Sequence, residues 1–104
     1  MGLSMRALNT GQRVVWGRPA DFAPNERHRY IPARVVEWMG TSTRIELDRP
    51  LDDDDPLVPH MLDPTTLVVG SDSLITAGQS DAKAANGDYI FPKSVRETFT
   101  SDMG

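Results

Sequence analysis

The residues with chemistry to offer gather in two stretches. "RPADFAPNERHRY" carries Arg18, Arg27, His28 and Arg29 and ends at Tyr30, while "LDDDDP" carries Asp52, Asp53, Asp54 and Asp55 in a row. Guanidinium groups grip phosphates or carboxylates through fixed pairs of N–H donors. A nucleic-acid partner would meet Arg18, Arg27, Arg29 and Arg34 through its phosphates, with Tyr30 or Trp38 offering a ring on which a base stacks. A protein partner would be anchored by Arg18, Arg27, His28, Arg29, Tyr30 and Trp38, since arginine and aromatic residues dominate contact energetics. A third reading keeps the loop to itself, its arginines paired with Asp21, Glu26 and the aspartate run.

Catalysis finds little to work with. His28 and His60 are the two histidines, and neither stands in a recognisable acid–base or nucleophile arrangement. No glycine-rich phosphate loop and no HExxH pattern is present. The chain is expected to be no enzyme and to need no cofactor. The four aspartates lack the alternating ligands, central glycine and distal acid of a calcium loop. No metal site is expected there, only weak adventitious cation binding, and the run reads as a solvated hairpin loop whose charge blunts edge pairing.

The chain has 104 residues, which bounds it to one domain with a single small core. It has no cysteine, which excludes disulfides and thiolate metal sites and fits a reducing compartment. No apolar run approaches the roughly 18 residues of a membrane span, and the start lacks a leader-like apolar stretch, so the protein is expected in the cytoplasm. The net charge is −4, but it is unevenly placed. Residues 1–34 hold six arginines against Asp21 and Glu26, whereas residues 35–70 hold two arginines against eight acids. An acidic chain with a sequence pI near 5.0 favours a protein partner over a nucleic acid for the basic loop.

The elements that must hold this loop are strands. "GQRVVWG" reads as a first strand, with Val14 and Trp16 on one face and Arg13 and Val15 on the other. "RYIPARVVEWMG" is the longest β-rich run. Ile31, Ala33 and Val35 share one face, and Tyr30, Arg34, Val36 and Trp38 the opposite one, an outward apolar stripe in need of cover. Pro32 predicts an edge or a bend at its start. After a turn at Gly40, Thr43, Ile45 and Leu47 alternate with Arg44, Glu46 and Asp48. "LVPHML" is expected to be a short fourth strand and residues 67–69 a fifth.

Beyond Gly70 the composition shifts to Ser, Asp, Ala and Gly, the signature of a flexible connector. Phe91, Val95 and Phe99 then recur at i, i+4 and i+8, with Pro92 suited to a first helical turn. The spacing predicts a short C-terminal helix that must dock to be stable, with a frayed tail as the alternative.

Gly11, Val14, Trp16, Ala33, Val35, Ile45, Leu47, Val58, Leu62 and Leu67 form a pattern over residues 9–70 that resembles the Src-homology-3-like and Tudor-like small β-barrels, including short bacterial domains of that superfold. The resemblance implies a mainly β fold, a small five-stranded barrel over residues 9–70. An N-terminal arm over 1–8 would precede it, and a C-terminal extension over 71–104 would follow. It also implies a non-catalytic interaction module of bacterial or bacteriophage type. Tudor-like members use an aromatic cage around a methylated cation, for which Trp16, Phe22, Tyr30 and Trp38 are the candidates here. The basic first loop departs from the acidic one of proline-binding members and argues against that ligand. Phe91, Val95 and Phe99 would form a secondary docking stripe.

Overall fold

Three consecutive buried residues, Val14, Val15 and Trp16, mark β1 (Arg13–Gly17) as a strand covered on both faces. A half-solvated strand would alternate instead. The computed structural model describes residues 7–79 and 91–103, apart from the side chains of residues 26, 27 and 101–103. β1 is followed by α1 (Glu26–Arg29), β2 (Tyr30–Trp38), β3 (Ser42–Leu47), β4 (Thr66–Gly70), β5 (Leu74–Ile75) and α2 (Lys93–Met103). The five strands form one antiparallel sheet in the order β4-β3-β2-β1-β5. Among the described residues β4 and β5 are its two edges and do not pair with each other.

The register carries the expected faces into one core. Val14 lies opposite Ala33 and Trp16 opposite Ile31, while Ala33 faces Leu47 and Val35 faces Ile45 across the next pair. These residues cluster with Val69 and Leu74, and Leu51, Leu57 and Met61 close over them from the long β3–β4 connection. Pro32 sits one residue before the β2–β3 ladder, which starts at Ala33, so its missing N–H removes no bond from that ladder. Its carbonyl still accepts from the Asp48 N–H at 3.1 Å. Gly40, at φ 87°, supplies the left-handed residue of the β2–β3 turn, a conformation open to glycine at little cost.

The C-terminal helix docks. Phe91 and Val95 pack with Val15 beneath α2, and Tyr30, Ile75 and Phe99 surround them. This second, smaller core explains the double burial of β1. Val95 is fully buried, worth about 2 kcal/mol relative to exposure, which offsets the marginal stability of so short a helix. Tyr30 at the start of β2 is thereby covered.

Three local expectations are corrected. Residues 58–60 form a 3₁₀ turn rather than a strand. Pro59 sits in its first positions, where a missing N–H costs nothing, whereas in a ladder it would remove a donor. Part of the expected connector is structured, since Ser71–Ser73 is a 3₁₀ turn and β5 pairs with β1 through Val15–Ile75 and Trp16–Leu74. Thr76 and Gln79 are also described, the Thr76 N–H donating to Gln79 Oε1 at 3.0 Å, and residues 80–88 of that segment lie outside the described residues. The third correction concerns Trp38. A β-bulge between Val35 and Glu37 makes Val36 the extra residue, so that Glu37 pairs with Arg44 and Trp38 with Thr43. Directly paired residues share a face, so Trp38 turns to the side of buried Thr43 and leaves the stripe of Tyr30 and Val36.

Candidate functional site

The loop between β1 and β2 is closed at its base by the Arg18 N–H donating to the Arg29 carbonyl at 2.8 Å. Inside it, the Phe22 and Ala23 N–H groups donate to the Pro19 carbonyl, and those of His28 and Arg29 to the carbonyl of Asn25, the residue before α1. The Arg29 guanidinium turns back on the loop, donating to the carbonyls of Ala23 at 3.1 Å and Pro24 at 2.7 Å. A dozen residues without strand or long helix are therefore held by their own backbone acceptors, as an ordered surface loop requires.

Arg18 is the pivot of the site. Its Nε donates to the His28 carbonyl at 2.8 Å, as does Nη2. Nη1 and Nη2 also donate to the two carboxylate oxygens of Asp55, at 3.1 and 2.5 Å. Its Cζ stands 5.0 Å from the Trp16 ring centre and 5.2 Å from that of Phe22. Two of the four cage candidates thus already flank a cation, the chain's own guanidinium. The planar fork of arginine suits this bidentate, stacked position and the point charge of lysine would not.

Asp55 comes from the far loop and is 1% exposed. It also accepts the Leu57 N–H at 3.0 Å. The Arg18 hydrogen bonds hold its carboxyl below the usual range against the opposing effect of burial, and the Leu57 N–H adds to the lowering. Asp63, further along the same connection, is likewise lowered by the N–H groups of Thr65 and Thr66, which it accepts as β4 begins.

Outside this pair the two loops meet a second time. The His28 Nε2 lies 3.0 Å from Asp52 Oδ2 and 3.7 Å from Asp54 Oδ1. The three ligand-type atoms all lie within 4.8 Å of one another. Beside them opens a cleft of about 320 Å³, lined by His28 and Asp52 with Ile31, Pro32, Arg49, Pro50 and Leu51.

The expected anchors are therefore dispersed. Arg18 is buried and engaged, and Arg29 is tied to loop carbonyls. His28 faces the aspartates, and the Arg27 side chain lies outside the described ones. Arg34 is exposed and donates to the Gly11 carbonyl at 3.0 Å. Tyr30 and Trp38 end the same strand, about 26 Å apart at the usual rise per residue, and look to opposite faces. Trp38 Nε1 is buried without a hydrogen-bond partner among the described residues. Asp55 was visible only as one of four aspartates, and Arg49, Pro50 and Leu51 carried no motif. The signal that did exist was charge, a basic loop matched by one acidic run. Among the described residues no helix is long and apolar enough to cross a membrane. No family model, no curated protein and no solved structure matches the chain.

Proposed function

We propose that the protein is a non-catalytic interaction module that takes a segment of a protein partner in the cleft beside its long first loop. The observation that carries this reading is the cleft itself. Its apolar lining from Ile31, Pro32, Pro50 and Leu51 is rimmed by Arg49 and Asp52, charges of opposite sign. Apolar walls with a few polar groups suit an extended peptide with one apolar side chain between charged neighbours. The Arg18–Asp55 pair ties the first loop to the connection that carries Arg49, Pro50, Leu51 and Asp52, and Ile31 and Pro32 are held in β2, so little ordering cost falls on binding. The fold that accompanies this reading is the Src-homology-3-like small barrel. Five short antiparallel strands, a long first loop and a first strand shared between the second and the last support it.

Selection of a displayed random-peptide library on the immobilised protein tests the proposal. Enriched peptides should lose binding to the Arg49→Glu and Leu51→Ala variants, and enrichment indifferent to both would overturn it. A parallel titration with single- and double-stranded oligonucleotides separates the alternative. Binding that falls steeply with salt and weakens on Arg34→Ala would replace the protein partner with a nucleic acid.

A further inference from the structure

We propose that His28, Asp52 and Asp54 form a binding site for a divalent transition metal, with Zn²⁺ as the best-suited ion. This does not rest on the peptide reading. The three side chains offer one imidazole nitrogen and two carboxylate oxygens, gathered within 4.8 Å. Metal–ligand bonds of about 2.0–2.1 Å place neighbouring ligands roughly 2.9–3.4 Å apart in octahedral or tetrahedral geometry. His28 lies 3.0 Å from Asp52 and 3.7 Å from Asp54, so its two contacts ask for shifts of a few tenths of an ångström. The two carboxylate oxygens, within 4.8 Å of each other, would close by up to about 1.4 Å, a movement open to exposed side chains.

The supporting shell is already built. One buried guanidinium, Arg18, holds the backbone carbonyl of His28 and the carboxylate of Asp55, the residue after Asp54. The chain on both sides of the site is therefore anchored to the same rigid group, the arrangement that pre-forms a metal centre. The His28 side chain is only 12% exposed, with Nε2 turned to the carboxylates, while Asp52 and Asp54 at 52% and 67% leave a path from solvent. Two carboxylate oxygens and an imidazole nitrogen make the mixed oxygen and nitrogen donor set that such an ion takes. Imidazole favours Zn²⁺, Co²⁺ or Ni²⁺. Ca²⁺ takes six to eight oxygens, and Mg²⁺ keeps a near-ideal octahedron of oxygens, which three side chains including a nitrogen do not supply.

Calorimetric titration of the full chain with Zn²⁺, and with Co²⁺ followed by visible absorption, provides the test. The expected result is one saturable site, weakened at least about tenfold by His28→Asn and by Asp54→Asn, and untouched by His60→Asn. Asp54 is exposed, so its variant reports even if the His28 variant folds poorly. Loss or displacement of the His28 Nε2 nitrogen resonance on Zn²⁺ addition reads the same site in the unaltered chain. Absence of saturable binding would overturn the proposal. So would binding unaffected by both variants, or binding of Ca²⁺ and Mg²⁺ as tight as that of Zn²⁺ with His28→Asn unaffected.

Discussion

Arg18 and Asp55, 37 residues apart in sequence, meet as a two-pronged ion pair whose side chains are 2% and 0% exposed. The pair does two jobs with one cation. It neutralises the single buried carboxylate of the far loop, and it ties the carbonyl that ends the near one. Such pairs add little net stability against apolar replacements of the same volume, but losing one partner strands a buried charge.

Asp55→Asn and Arg18→Met should each therefore cost about 3–5 kcal/mol. The double variant Arg18→Met/Asp55→Leu should recover a large part of that loss. Urea denaturation at pH 7 followed by tryptophan fluorescence measures all three. A single substitution costing under about 1 kcal/mol would show that the pair is not the pivot described.

The same pair gives an acid limb to stability. Asp55 has a carboxyl lowered from 3.8 by its Arg18 hydrogen bonds, so the unfolded chain takes up the proton more readily than the fold does. The stabilisation is fully present above the unfolded value. It is lost as pH falls below about 4 and through the folded value. Asp63 acts with the same sign through the Thr65 and Thr66 N–H groups. Urea midpoints taken from pH 7 downwards should fall in that window for the natural chain. For Arg18→Met/Asp55→Leu they should fall less steeply, since the Asp55 contribution is gone while that of Asp63 stays.

The docked helix makes a separate claim. Val95 is fully buried against Val15, so Val95→Ala should cost about 2–3 kcal/mol, and Phe91→Ala about 3–5. Amides of residues 95–99 should be protected from hydrogen exchange and carry helical chemical shifts. Random-coil shifts there would remove the second core.

Val36 is the extra residue of the bulge, so its deletion should leave Glu37 opposite Arg44 and Trp38 opposite Thr43. The shortened chain is expected to fold cooperatively with the Trp38–Thr43 cross-strand contact intact by nuclear Overhauser effects. Appearance of Glu37 opposite Thr43 instead would mean that the register is set elsewhere.

The strands themselves were legible because their signal is local. Val14 with Trp16, Ile31 with Ala33 and Val35, and Ile45 with Leu47 announce both a strand and its inward face by period-two alternation. The helical spacing of Val95 and Phe99 was legible for the same reason, whereas Phe91 precedes the helix, which starts at Lys93, and still packs with Val95. What the helix packs on was not, since Val15 and Ile75 advertise only that they are apolar.

Where the sequence reading failed, a choice between distant partners had decided the outcome. β5 is two residues long and exists because β1 offers its free edge to Leu74 and Ile75. The bulge at Val36 turns Trp38 to the other face, since pairing with Thr43 is settled by β3 and not by alternation along β2. The charge pattern of the sequence offered pairing of the basic loop with Asp21, Glu26 and the aspartate run as one of three readings. Which arginine met which aspartate followed from the tertiary structure, because a buried guanidinium needs both its charge paired and its N–H donors satisfied. That condition is met at Arg18, between His28 and Asp55.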